Sequence, residues 1–239
     1  MAFSILQAWK HAVTSSPPTQ TDLVLTSVPI AGNLLVVVVH FSISATTVAM
    51  TDSIGDGVGW NTGVGPVNDS SSAYQRQYIF WKVVGTPSGG AKTLTATWSG
   101  GTTPGTLGVD AAEYQSAGGV ISLDGTATSA SGHNVGPATT TGITTTGTEG
   151  LVISTLTDNA ANYTTPTGGF TNRAIGNGTT DQSDIWNNNV ADQYTSSAAT
   201  YTPSQVLGGS EFWINMAIGF KAATASPAAS YPIETILYF

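Results

Sequence analysis

The sequence predicts an all-β protein: an antiparallel β-sandwich built from two related halves. Three observations predict it. Glycine (28 residues) and proline (11) punctuate the chain every few positions. The segments between them are strand-length and rich in Thr, Val, Ile and aromatics. Apolar and polar residues also alternate: Leu94, Ala96 and Trp98 interleave with Thr93, Thr95 and Thr97, the period of a strand with one wet face. Finally, one series of segments recurs about a hundred residues later.

Taken in order, strands are predicted over 5–12, 23–27, 34–41, 47–52, 75–84, 93–98 and 107–114. They continue over 120–128, 151–157, 171–176, 183–190, 199–202 and 212–220. The segment 34–41 is apolar on both faces, which marks a central strand covered on both sides. The segment 212–220 carries the cleanest single apolar face, Phe212, Ile214, Met216, Ile218 and Phe220.

The recurrence links Gly32-Asn33-Leu34-Leu35-Val36-Val37 to Glu149-Gly150-Leu151-Val152-Ile153, 117 residues on. Phe80-Trp81, Thr97-Trp98 and 107–117 are echoed by Ile185-Trp186, Thr200-Tyr201 and 214–223, at separations of 105, 103 and 106. The expectation is one sandwich domain over 1–223, with halves at about 20–117 and 149–223 packed face to face. The later copy would be shortened in the loop around 52–72. The stretch 132–147, which has no charged residue, reads as the link between halves. Residues 224–239 read as a small-residue linker and an apolar tail. Tyr231, Ile233, Ile236, Leu237, Tyr238 and Phe239 would be costly to expose. They are therefore expected to dock on the protein's own sandwich or on a neighbouring subunit as an added strand.

Composition excludes several functions. Only 8% of residues are charged, six Lys and Arg against fourteen Asp and Glu, where an ordinary domain has roughly 25%. Scattered cations and a net charge of −8 leave no basic stripe for nucleic acid. Cysteine is absent, so neither disulfides nor thiolate ligands exist. No apolar run approaches the ~18 residues of a membrane-spanning helix. The first ten residues lack the basic and apolar regions of a signal peptide. With so neutral a composition, the expected setting is a virion or the extracellular space.

Candidate chemistry is sparse. His11, His40 and His133 show no metal spacing, and each reads as structural. Asp110 and Glu113 lie three residues apart in a strand, so they point to opposite faces and make a poor pair for glycoside hydrolysis. Asp52-Ser53-Ile54-Gly55-Asp56-Gly57 reads either as a loop holding a hard cation or as a hairpin with Asx-turns. Trp60, Tyr74, Tyr163 and Tyr194 sit beside polar loops and suit stacking on a sugar ring. The same rings could instead seal loop ends or subunit contacts. No cofactor or metal is expected, and neither is an enzyme.

Gly32-Asn33-Leu34-Leu35, Thr51-Asp52-Ser53-Ile54-Gly55-Asp56-Gly57-Val58-Gly59-Trp60 and Ala112-Glu113-Tyr114 together resemble a known kind of module. They are similar to β-sandwich modules of bacteriophage minor tail proteins and of secreted bacterial surface proteins. The resemblance covers about 20–223, implies a jelly-roll-like fold and carries over no catalytic residue. An extra Gly-Val-Gly before Trp60 departs from the usual short form of that loop. The resemblance implies a structural or attachment protein of a virion surface, in a phage tail or capsid decoration. Copies of itself and other virion proteins are its expected partners. A carbohydrate-binding module for a cell-surface glycan and a self-assembling extracellular filament subunit are the alternatives.

Overall fold

The computed structural model describes residues 3–15, 19–42, 45–71, 75–117, 119–147, 149–158, 163–173 and 187–222. Among them there is no helix. The first half contributes β1 (Phe3–Ser15), β2 (Gln20–Leu25), β3 (Leu34–Ser42), β4 (Ala45–Asp52), β5 (Asn61–Asn68), β6 (Gln75–Val83), β7 (Lys92–Gly101) and β8 (Thr106–Ser116). The second contributes β9 (Ile121–Leu123), β10 (Thr128–Thr139), β11 (Ile143–Thr144), β12 (Gly150–Asp158), β13 (Tyr163–Thr167), β14 (Thr171–Asn172), β15 (Asn187–Thr195), β16 (Thr200–Tyr201) and β17 (Ser204–Ala222). Every ladder is antiparallel.

Strand order carries the duplication. The large sheet of the first half runs β1-β8-β3-β6-β5, and that of the second runs β10-β17-β12-β15-β14. Each half adds a small sheet, β2-β7-β4 or β11-β16. In both, the last strand slots between the first and third while the second strand lies in the opposite sheet. This is the wound order of a jelly roll.

Register sharpens the match. Leu34 pairs with Tyr114, and Leu151 pairs with Phe220, which are the separations of the first and last sequence echoes. The aromatic echo fails. Trp81 pairs with Val36, and Val36 corresponds to Ile153, whose partner is Asp192. Asp192 is therefore the counterpart of Trp81; Ile185-Trp186 lie outside the described residues. Neighbouring strands set register, and a conspicuous side chain does not. By the same ladders the later copy is shortened on both sides of β15, so the 52–72 loop is not the only place.

The halves stack into four layers. Leu35, Val37, Val39 and Phe41 of β3 pack with Leu23, Leu25, Met50, Leu94 and Ala96 of the small sheet. Leu34, Val36 and Val38, on the other face, pack with Leu151, Ile153, Ile214, Met216, Ile218 and Phe220. Ile143 and Tyr201 cover the far face of the second large sheet, against Val152, Phe170, Ala191 and Ala217. The sequence expectation of two halves facing each other in one two-layer sandwich is thus corrected. Each half is itself layered, and the two large sheets press together. A strand apolar on both faces demands such a position.

Cross-layer contacts show how the halves are turned. Gln75 of β6 donates to the Phe212 carbonyl of β17 at 3.0 Å. At the opposite corner Tyr194 of β15 accepts a bond from the Ile5 N–H of β1 at 2.8 Å. Thus β6 lies over β17, while β1 lies over β15, as an approximate twofold axis between β3 and β12 requires. The Trp81 and Phe220 rings meet edge-on, 5.4 Å apart; their counterparts Asp192 and Tyr114 adjoin likewise.

Two expectations need further correction. Residues 132–147 are not a link, because β10 and β11 occupy most of the stretch. Each half also begins earlier than expected, with β1 and with β10. The predicted strand 120–128 shrinks to β9, and a turn separates it from β10.

Candidate functional site

The resemblance motifs meet in space. Gly32 adopts φ +86 and its N–H bonds the Val84 carbonyl at 2.8 Å, which turns the chain into β3. The side-chain amide of Asn33 and the Ile30 N–H then donate to one oxygen of Glu113, at 2.5 and 2.8 Å. Gln7 donates to its other oxygen. Glu113 is wholly buried with these donors around it, so its role here is to hold an edge together.

The loop after β4 is the most organised polar feature. Lys82 of β6 sends its ammonium between Asp52 Oδ2 (2.8 Å) and Asp56 Oδ1 (2.9 Å), with the Val58 carbonyl at 3.3 Å. Its side chain is fully buried, and those of Asp52 and Asp56 are 8% and 2% exposed. Trp60 donates its indole N–H to Asp52 Oδ2 at 2.7 Å and lays its ring 5.3 Å from the ammonium. The N–H groups of Ile54 and Val58 bond Asp52 and Asp56 two residues back, at 2.9 and 3.0 Å. These are the Asx-turns expected of a hairpin. The cation that the two aspartates hold is the protein's own lysine.

Burial pushes the Asp56 carboxyl up, but the Lys82 ammonium and the Val58 and Gly85 N–H groups outweigh it and leave it below the usual carboxylate range. A second ammonium lies beside the same loop. Lys92 is buried and donates to the Ser53 carbonyl, Ser88 Oγ and the Gly89 carbonyl at 3.0–3.2 Å. Between the loop and its strand lies a shallow depression of about 330 Å³, lined by Met50, Thr51, Asp52, Gly55, Asp56 and Trp60 among others.

The structure does not bring together the two predicted stacking residues it describes, Trp60 and Tyr194. Trp60 is half-buried against the core between the first two layers. Tyr194 is half-buried in a different layer, between the large sheets, with the Arg173 guanidinium 5.7 Å from its ring. Tyr74, the Tyr163 side chain and the tail residues 231–239 lie outside the described residues. Arg173 is bound to both oxygens of Asp192 at 2.9 Å. Burial still raises the Asp192 carboxyl above its ordinary value, because Arg173 offsets only part of the cost.

The remaining ionisable candidates are dispersed. His40 is buried across from Gly108, where an added Cβ would fall 2.1 Å from its ring. His133 stacks on Phe212 at 4.0 Å on β10. Asp124 accepts bonds from the Thr146 hydroxyl and N–H and from the Gly147 N–H at 2.6–2.9 Å. Burial pushes its carboxyl up, yet those donors and Lys221 bring it below the ordinary value. No group of three metal-ligating side chains occurs among the described residues.

Sequence reasoning named Asp52, Asp56 and Trp60 but missed Lys82. Alternation could have found it: Lys82 shares the strand face of Tyr78 and Phe80, which pack in the core. Comparison of the chain with protein-family models, with curated proteins and with solved structures gives no match.

Proposed function

We propose that this is a non-enzymatic structural or attachment protein of a virion surface, assembling through nearly uncharged β-sheet faces. One observation carries the reading. Among the described side chains every lysine and arginine is buried or half-buried, and Asp22 and Glu149 are the only exposed acids. The few charges are bound internally: Lys82 to Asp52 and Asp56, Arg173 to Asp192, Lys221 near Asp124. The outside is left to hydroxyls, amides and apolar groups, Leu6, Val24, Ile30 and Val120 among them. Such a surface packs against copies of itself with little ion desolvation.

The fold and the edges support the same reading. Jelly rolls serve in capsids and in lectins alike, so the fold alone does not choose between them. β10 ends its sheet as a twelve-residue edge strand without a charged residue, where most exposed edges carry protective charge. An apolar tail from another copy would find its backbone partners there. Size exclusion and native mass spectrometry are expected to show oligomers that weaken when residues 227–239 are deleted. A monomer that the deletion leaves unchanged overturns the reading.

The depression beside Trp60 favours carbohydrate binding as a second reading, because a half-exposed indole next to polar groups is what a sugar face needs. A glycan array should then show binding that Trp60→Ala reduces at least tenfold and Tyr194→Ala leaves in place. Absence of binding by the parent protein removes this reading.

A further inference from the structure

Lys82 and Asp52 stand in two different layers. Asp52 ends β4 in the small sheet, and Lys82 lies on β6 in the large one. Their side chains meet at 2.8 Å with the lysine fully sequestered from water. Asp56 touches the same nitrogen at 2.9 Å. A primary amine, a carboxyl carbon beside it and a second carboxylate on the nitrogen make a complete set for amide formation.

We propose that Lys82 and Asp52 condense within the folded protein, joining Nζ to Cγ and releasing one water, with Asp56 as the proton carrier. This inference is independent of the virion reading.

The surroundings favour the step in two ways. Fixed proximity replaces a bimolecular encounter, with effective molarities on the order of 10⁵ M or more for well-aligned groups. Two neutral donors grip Asp52, the Ile54 N–H on Oδ1 and the Trp60 N–H on Oδ2. They are placed to hold a developing oxyanion and a departing oxygen. Asp56 is the lesser electrophile: N–H groups of Val58 and Gly85 and the ammonium itself all stabilise its ionised form.

The balance closes without any co-reactant. Asp56 takes a proton from the ammonium, and the freed lone pair forms the N–C bond as the carbonyl electrons move onto Oδ1. Asp56 relays two nitrogen protons in turn to Oδ2, which leaves as water while the C=O bond re-forms. One proton stays as the amide N–H and can donate to Asp56 Oδ1. The ammonium and carboxylate charges disappear together, and nothing is oxidised or reduced. A chain without cysteine would gain in this way a covalent tie between sheets that no reductant opens.

Mass spectrometry of the denatured protein tests it. The intact mass is expected to fall below the sequence mass by one water. Trypsin should fail to cut after Lys82, so that residues 77–92 stay joined to 11–76 as one branched product. Asp56→Asn should fold yet keep its full mass; Asp52→Asn should lose one ammonia in place of water. A parent protein of full mass that is cut cleanly after Lys82 overturns the proposal, whatever the variants do. A branch point at Asp56 overturns the choice of Asp52, and condensation in Asp56→Asn overturns the role given to Asp56.

Discussion

Replacing Lys82 with methionine is expected to lower the unfolding free energy by about 3–5 kcal/mol, the cost of stranding a buried charge by removing its partner. The readout is the unfolding free energy taken from both the urea midpoint and the slope. Two carboxylates with 8% and 2% exposure would be left side by side without a counter-ion. Methionine matches the length of the stem but supplies no charge and no nucleophile, so it removes the ion pair and the amide alike. An exposed pair is worth only about 0–1 kcal/mol. A loss in that range would show that the ammonium is not sequestered.

The acid limb of the stability curve should respond as well. The Asp56 carboxyl is held below its ordinary value of 3.8 in the folded state. Its contribution is therefore complete above the unfolded value and disappears as pH falls through the lower folded one. Asp124 acts in the same direction and Asp192 in the opposite one. Relative to parent protein whose Lys82 is still an ammonium, Lys82→Met takes away the cation that depresses Asp56, so the variant should lose less stability below about pH 4.

Lys82 also marks how far the sequence could be read. Positions 34–41 announced a strand covered on both faces, and β3 is that strand, in the middle of its sheet between two cores. The glycine-bearing strands were hidden. β5 lies within the loop expected around 52–72 and carries Gly63 and Gly65; an added Cβ at Gly63 would lie 2.4 Å from Ile218 Cδ1 of the facing sheet. β10 runs into the uncharged stretch 132–147 expected as a link, and it carries Gly132, Gly136 and Pro137. At Gly132 the Trp213 indole crosses the backbone, 2.6 Å from where a Cβ would be. Glycine in these strands permits close approach, from another layer at Gly63 and from the paired strand of the same sheet at Gly132. A single strand's pattern cannot distinguish that use from a break in structure. The candidate site was legible in its acids and its indole, while its cation required knowing which face β6 turns to the small sheet.

Leu34→Ala is expected to cost about 2–5 kcal/mol, as buried leucine truncations do when the cavity cannot collapse. Leu34 is fully buried on the face of β3 that packs on the second half, in the core formed with Leu151, Ile153 and Phe220. The location predicts more than the size. Because this core belongs to both large sheets, the two halves should melt together, and calorimetry should show one transition displaced to lower temperature. Fluorescence adds a check, since Trp81 lies against Phe220 in the same core and should change with the global transition. Two separate transitions, only one of them moved by Leu34→Ala, would show that the large sheets do not share a cooperative core.

The winding of each roll has a consequence for synthesis. β8 is laid between β1 and β3, and β17 between β10 and β12. Neither large sheet can therefore close until its final strand has left the ribosome. The first roll must wait for Ser116 and the second for Ala222. Contacts so distant along the chain slow folding and lengthen the time during which bare edges can meet a neighbouring nascent chain. Slower elongation over the codons for residues 117–222 should raise the yield of soluble protein.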